Sequence, residues 1–311
     1  MLRNTLLYLS AQPRIFRFVR NNRFARGMAR RFVAGETLDE ALDAVRELNA
    51  KGITGTLDLL GESVTNEREA REARDEYLRM LDRIDQQGLD ANVSLKLTAM
   101  GLDISEDLCA GIMHEVLERA QQYGTFVRLD MESSEYTERT LRLFEDRLYP
   151  SYREHVGIVL QSYLYRTIAD VERANALNVR VRLCKGAYKE PASVAFADKH
   201  DVDANFVKCT QSLMRDGNYP GIATHDPAMI DAARQFAEAE GIPPDRFEFQ
   251  MLYGIRRDVQ EALVRDGYRM RVYIPYGTQW YPYLMRRLAE RPANIAFITG
   301  NVVREAVGRR R

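Results

Sequence analysis

Eight short apolar runs alternate with longer stretches of helical periodicity along most of this chain, and that rhythm limits the fold more than any other feature. The runs predict strands over 55–60, 91–97, 125–130, 157–161, 180–183, 221–224, 246–250 and 270–274. Helices are predicted between them, at 66–87, 106–123, 137–148, 167–177, 203–215, 227–239 and 258–266. When a helix separates each strand from the next, the chain crosses over and neighbouring strands run parallel. Eight such units in about 240 residues match the size of a (β/α)8 barrel. A doubly wound sheet would usually carry a glycine-rich dinucleotide turn after a strand, and no Gly-x-Gly occurs anywhere. The expected class is therefore α/β, a TIM barrel over residues 37–300, with a helical arm over 1–36 and a frayed tail over 301–311.

Charge sets the arm apart. It has no acidic residue before Glu36, but carries Arg3, Arg14, Arg17, Arg20, Arg23, Arg26, Arg30 and Arg31. Leu6, Leu7, Leu9, Ile15, Phe16, Phe18 and Val19 are interleaved. The pattern reads as one or two basic amphipathic helices, suited to docking on the body or to an anionic membrane surface. Over the whole chain 45 basic and 45 acidic residues cancel, so charge carries no nucleic-acid signature. No apolar run approaches the roughly 20 residues of a membrane span, and the N-terminus lacks the apolar core and cleavage site of a signal peptide. Cys109, Cys184 and Cys209 are widely spaced, without a Cys-x-x-Cys, which argues against a disulfide framework or a zinc knuckle. A cytoplasmic protein is expected. The arm leaves open a peripheral contact with the cytoplasmic face of the inner membrane, and nothing in the sequence decides the oligomeric state.

In barrels of this kind chemistry gathers at the C-terminal strand ends. Those ends read Glu62, Lys96, Asp130, Gln161, Arg182, His225, Gln250 and Tyr273. Each alone serves equally well as a loop or capping residue, but eight polar ends around one mouth converge on a site. Lys96 stands out, because a lysine inside an apolar strand is either paired or functional. Asp130 on the next strand is its natural partner. Arg182 and Lys185 suit a phosphate, and Gly186 and Ala187 permit close backbone approach. His225 has no second ligand at metal spacing, so no metal is expected. Beyond the last strand, Arg286 and Arg287 adjoin on a predicted helix. Two guanidiniums suit a carboxylate; the competing reading is a solvated face paired with Glu290.

Several segments together resemble the proline dehydrogenase family. They are SLKLT at 94–98, RLCKGAY at 182–188, ATHD at 223–226, FQML at 249–252, Tyr273, and YLMRRLAE at 283–290. The resemblance spans roughly residues 50 to 298 in the family's order, and the length matches its monofunctional bacterial form. It implies a distorted (β/α)8 barrel whose final helix lies over the mouth, and non-covalent FAD. It implies oxidation of L-proline to Δ1-pyrroline-5-carboxylate by hydride transfer to the flavin, the first step of proline catabolism, with a membrane quinone as electron acceptor. By the same resemblance, Lys96, Arg286 and Arg287 hold the proline carboxylate. Asp130, Tyr188, Leu252 and Tyr273 form the substrate pocket, and Glu62 gates it by pairing with Arg286. Gln161, Arg182, Cys184, Lys185, Gly186, Ala187, Thr224, His225 and Gln250 fall at the cofactor. No residue matches a dedicated acid or base. Lys189 stands where bifunctional relatives carry tryptophan, which leaves that flavin contact open.

Three rivals fit parts of the pattern. A Schiff-base aldolase built on Lys96 would be colourless and trapped by borohydride. A flavin barrel of the methylenetetrahydrofolate reductase type would be yellow but unbleached by proline. A non-enzymatic binding protein would do neither.

Overall fold

The computed structural model describes residues 30–285, apart from Glu62 and Pro282. Expectations for Glu62, Arg286, Arg287, most of the arm and the tail therefore lie outside the described residues. Eight strands pair in chain order, every pair parallel, and close into a barrel. They are β1 (Thr54–Leu59), β2 (Ala91–Leu95), β3 (Val127–Leu129), β4 (Val156–Gln161), β5 (Val181–Cys184), β6 (Gly221–Ala223), β7 (Glu248–Leu252) and β8 (Arg269–Tyr276). The main helices are α1 (Leu38–Asn49), α2 (Glu67–Gln86), α3 (Glu106–Gln122), α4 (Ser134–Leu143), α5 (Thr167–Ala176), α6 (Lys199–Asp216), α7 (Pro227–Ala239) and α8 (Arg257–Arg265).

Local chemistry explains where elements start. Asn66, Ser105, Asp198 and Asp226 cap α2, α3, α6 and α7 with side-chain oxygens, each cap worth about 1 kcal/mol. α2 buries Ala70, Tyr77, Met80, Leu81 and Ile84 against the barrel, a stripe at helical spacing. Several boundaries differ from expectation, three of them for clear local reasons. β2 stops at Leu95 because Lys96 is the extended cap of a 3₁₀ turn, Leu97–Met100. β7 begins at Glu248 because Pro243 and Pro244 start another such turn, Pro244–Arg246. The expected helix 137–148 is α4 plus a π turn, Phe144–Leu148, ahead of Pro150.

α1 was not anticipated from periodicity. Thr37 and Glu40 form a reciprocal capping box at its start. It packs against β1 and β8, covering outer barrel surface that the helix after β8 covers in a regular barrel. Residues preceding it dock at the mouth end of β8. The Ala34 amide donates to the Pro275 carbonyl and the Gly277 amide to the Gly35 carbonyl. Phe32 and Val33 are buried, so this end of the arm belongs to the body.

Apolar and polar residues alternate along the strands. Val93, Leu95, Val127, Leu129, Val181 and Leu183 are fully buried and join the large apolar cluster shared with the helices. The residues between them, Ser94, Arg128 and Arg182, are also buried, but they bond inside the barrel. Layers of branched aliphatics usually fill that space. Here the interior is a polar network, and it leads up to the mouth.

Candidate active site

Asp130, at the end of β3, is the hub. Its Oδ1 accepts from Arg182 Nη1 on β5 at 2.7 Å and from Ser94 Oγ on β2. Its Oδ2 accepts from Tyr273 Oη on β8 at 2.7 Å. Bonds between such distant strands cross the interior. Arg182 Nε donates to Gln250 Oε1 at 2.6 Å, and its guanidinium lies 5.2 Å from the Tyr273 ring centre. Gln250 Nε2 then donates to Glu248, which also accepts from Arg271 Nε at 2.8 Å. Burial alone would raise the Glu248 pKa, but the charge and hydrogen bond of Arg271, with the Arg128 charge and the Gln250 hydrogen bond, together hold the carboxyl low. These buried charges are tolerable because each is paired and hydrogen-bonded; removing one partner of such a pair costs about 3–5 kcal/mol.

Lys96 reaches Asp58 of β1, with Nζ 3.5 Å from Oδ1. Asp130, its expected partner, is taken up by Arg182, Ser94 and Tyr273. Asp58 was missed in the sequence, although an acid inside an apolar strand is the same signal that singled out Lys96. It is 1% exposed. Burial pushes its pKa up to about 6, with the Lys96 charge pulling down and Asp130 adding to the rise. Tyr77 of α2 donates to the Ser94 carbonyl at 2.9 Å, bracing this side of the mouth. Glu248 and Arg271 were likewise missed; both are charged residues at alternate strand positions.

The other side of the mouth is formed by β4 to β7. Gln161 is 4% exposed and its Oε1 has no hydrogen-bond partner among the described residues. A buried acceptor left unsatisfied is costly, so a bound group that donates to it fits the site. Gly186 has φ +106, and a Cβ there would stand 2.5 Å from the Tyr163 ring, so the strand-to-loop turn needs glycine. Cys184 and Tyr188 are half-buried, and Ala187 is exposed. Thr224 is buried, with Oγ1 accepting from the Asp226 amide. His225 Nε2 accepts from the Leu252 amide at 2.9 Å, which puts a ring proton on Nδ1 in the neutral form. Lys185 is held by Asp203 and Asp226 at 2.5 and 2.8 Å. Burial pushes the pKa values of these two acids up, but Lys185 and Lys199 together, with the Ala228 amide at Asp226, bring both below the ordinary value. A buried acceptor, a glycine turn and a hydrogen-bonded histidine around one rim fit a large polar cofactor. Among the described residues, no group of three His, Cys, Asp or Glu is placed to hold a metal.

The chain matches the family model described as proline dehydrogenase over residues 41–300. It is 44% identical over 297 residues to proline dehydrogenase 2 of Bacillus subtilis strain 168, covering 95% of this chain and 96% of that one. It is 40% identical over 307 residues to the proline dehydrogenase of Deinococcus radiodurans, covering 98% of each. Among solved structures, proline utilization A from Bdellovibrio bacteriovorus inactivated by N-propargylglycine superposes with a TM-score of 0.81 at 29% identity, covering 89% of this chain and 34% of that longer one.

Proposed function

The chain belongs to the proline dehydrogenase family, and we propose that it oxidises L-proline to Δ1-pyrroline-5-carboxylate with non-covalently held FAD and passes the electrons to a membrane quinone. The Asp130 hub is the observation that most favours this reading. It locks Arg182, Ser94 and Tyr273 into one wall at the barrel mouth, and a rigid wall is what orients a small ring for reaction.

In this reading Lys96, Arg286 and Arg287 grip the substrate carboxylate, since guanidinium forks and an ammonium give charge-assisted bonds to both oxygens. Tyr188, Leu252 and Tyr273 bound the ring, and Glu62 closes over it by pairing with Arg286. Gln161, Arg182, Cys184, Lys185, Gly186, Ala187, Thr224, His225 and Gln250 hold the cofactor. Bound FAD would supply the two-electron oxidation; the residues around it supply position and electrostatics. The substrate amine must be neutral for ring carbon 5 to be oxidised, and no side chain is assigned as its base.

The basic arm is the part of the chain suited to the quinone's membrane, and we place the protein in the cytoplasm with a peripheral contact there. Among the described residues no helix is long and apolar enough to cross a membrane. Purified protein should be yellow, release intact FAD on denaturation, and bleach anaerobically on adding proline. Colourless protein, FMN, or flavin that proline does not reduce would overturn the proposal. Removing residues 1–20 should lower quinone-linked turnover on anionic vesicles and spare turnover with a soluble dye; equal loss with both acceptors would make the arm purely structural.

A further inference from the structure

The barrel has a second cavity at the opposite end from the mouth. It encloses about 310 Å³ and is lined by Phe126, Arg128, His155, Arg180, Tyr219 and Arg271, among others. Arg128 lies two residues beneath Asp130 on β3, about 7 Å along the strand. It is 4% exposed. Its Nη1 donates to the carbonyls of Ile158 and Arg180 at 3.2 and 2.5 Å, but its Nε has no hydrogen-bond partner among the described residues.

The neighbouring buried guanidiniums face carboxylates: Arg182 pairs with Asp130 and Arg271 with Glu248. Among the described residues Arg128 forms no ion pair. A buried charge without an ion-pair partner is costly, and burial, followed by the Arg182 charge, pushes the Arg128 pKa well down against the opposing pull of Glu248. Arg180, on the rim, also has a buried Nε without a hydrogen-bond partner among the described residues. Its ion pair with the exposed Glu154 is loose, at 3.7 Å. The guanidinium carbons of Arg128 and Arg180 lie 4.7 and 5.4 Å from the centre of the Phe126 ring, which holds the two forks beside each other. β4 makes room for them: a Cβ at Gly157 would stand 2.3 Å from the Arg180 carbonyl oxygen, 2.7 Å from Phe126 and 2.9 Å from Arg128 Nη1.

Three carboxylates border this cavity. Glu248 is committed to Arg271, the exposed Glu154 reaches Arg180 only loosely, and Asp90 lies in the field of Arg271. None of them forms an ion pair with Arg128; the Glu248 charge acts on it only from a distance and does not offset its burial.

We propose that this cavity is an oxyanion site in which Arg128 and Arg180 grip a small carboxylate or phosphate group, separate from the site at the mouth. Planar guanidinium forks match both groups, and the ion would supply the acceptor that the two buried Nε–H groups lack.

Thermal melting of the full chain decides it, with inorganic phosphate, acetate and a chloride control at matched ionic strength. Phosphate or acetate should raise Tm saturably, by about 4 °C at a hundredfold excess over Kd for a chain of this length, and chloride should not. A response to phosphate alone assigns a phosphate-bearing ligand; a response to acetate assigns a carboxylate. Arg180→Gln alters only a rim side chain, so its ion-free melting should match the parent while its ion affinity falls about tenfold. Arg128→Gln should abolish the response; if that variant does not fold, Arg180→Gln still decides. No saturable rise in the parent, or an undiminished rise in Arg180→Gln, would overturn the proposal.

Discussion

Tyr273 Oη donates a 2.7 Å hydrogen bond to Asp130 Oδ2, joining β8 to β3 across the mouth between residues 143 apart in the chain. Asp130's other oxygen is held by Arg182 and Ser94, so the carboxylate is fixed on both sides. Burial, then the Asp130 charge, push the Tyr273 phenol well above its ordinary pKa, and it stays a donor at neutral pH.

Two substitutions separate that bond from the ring. Tyr273→Phe keeps the ring but strips a buried acceptor of its partner, so urea unfolding should show a loss of about 1–3 kcal/mol. Tyr273→Ser removes the ring wall, and discrimination against 4-hydroxyproline should fall by about 1–3 kcal/mol. Unchanged kcat/KM ratios for the two substrates in the serine variant would remove Tyr273 from the substrate wall.

Arg286 and Arg287 lie outside the described residues, yet their proposed role makes a sharp prediction. Arg→Met at either position should weaken proline binding by about 2–5 kcal/mol, roughly tenfold to several thousandfold. Lysine should not rescue, because it lacks the planar fork, and flavin content should stay at the parent level. Proline kinetics at matched FAD occupancy test this, and parent-like KM and kcat would restore the solvated-face reading.

Asp58 predicts a pH dependence. Its folded pKa is raised from 3.8 to about 6, chiefly by burial. The folded state therefore holds the proton more tightly than the unfolded chain. The stabilisation that follows is complete below the unfolded value and is lost as pH rises through the folded one. Asp58→Asn should flatten that part of the stability profile between pH 3.8 and 6. Chemical denaturation of parent and variant across this range checks it; parallel profiles would show that Asp58 titrates alike in both states.

Gln161 offers a test of the cofactor rim that does not depend on turnover. Its Oε1 is buried without a hydrogen-bond partner among the described residues, so Gln161→Leu should leave the flavin-free protein no less stable. Flavin affinity should fall, by about tenfold for one lost hydrogen bond of that strength. Fluorescence titration of flavin-free protein with FAD measures it, and equal affinities would exclude Gln161 as a contact.

The barrel was legible from period and order alone, because a parallel strand must be followed by a crossover and each crossover here has helical periodicity. Lys96 and Asp130 were legible as charges in otherwise apolar strands. Asp58, Glu248 and Arg271 carry the same local signal and were passed over, since each stands in a run that reads as uniformly buried. α1 carries local signals, its Thr37–Glu40 capping box and its apolar stripe, and was passed over all the same; what only the fold decides is that it covers the outside of β8 and β1, two strands at opposite ends of the sequence. Which ion pairs form was also beyond the sequence. Asp130 could have met Lys96 on the adjacent strand, but closure of the barrel brings Arg182 and Tyr273 to it across the interior. The sequence by itself determined the strands, their order and the polar residues they carry. Only the closed barrel decided which of those residues meet. Alternate side chains of a strand point to opposite faces, and closure turns one face of every strand toward a common axis, where groups far apart in the chain become hydrogen-bonding neighbours.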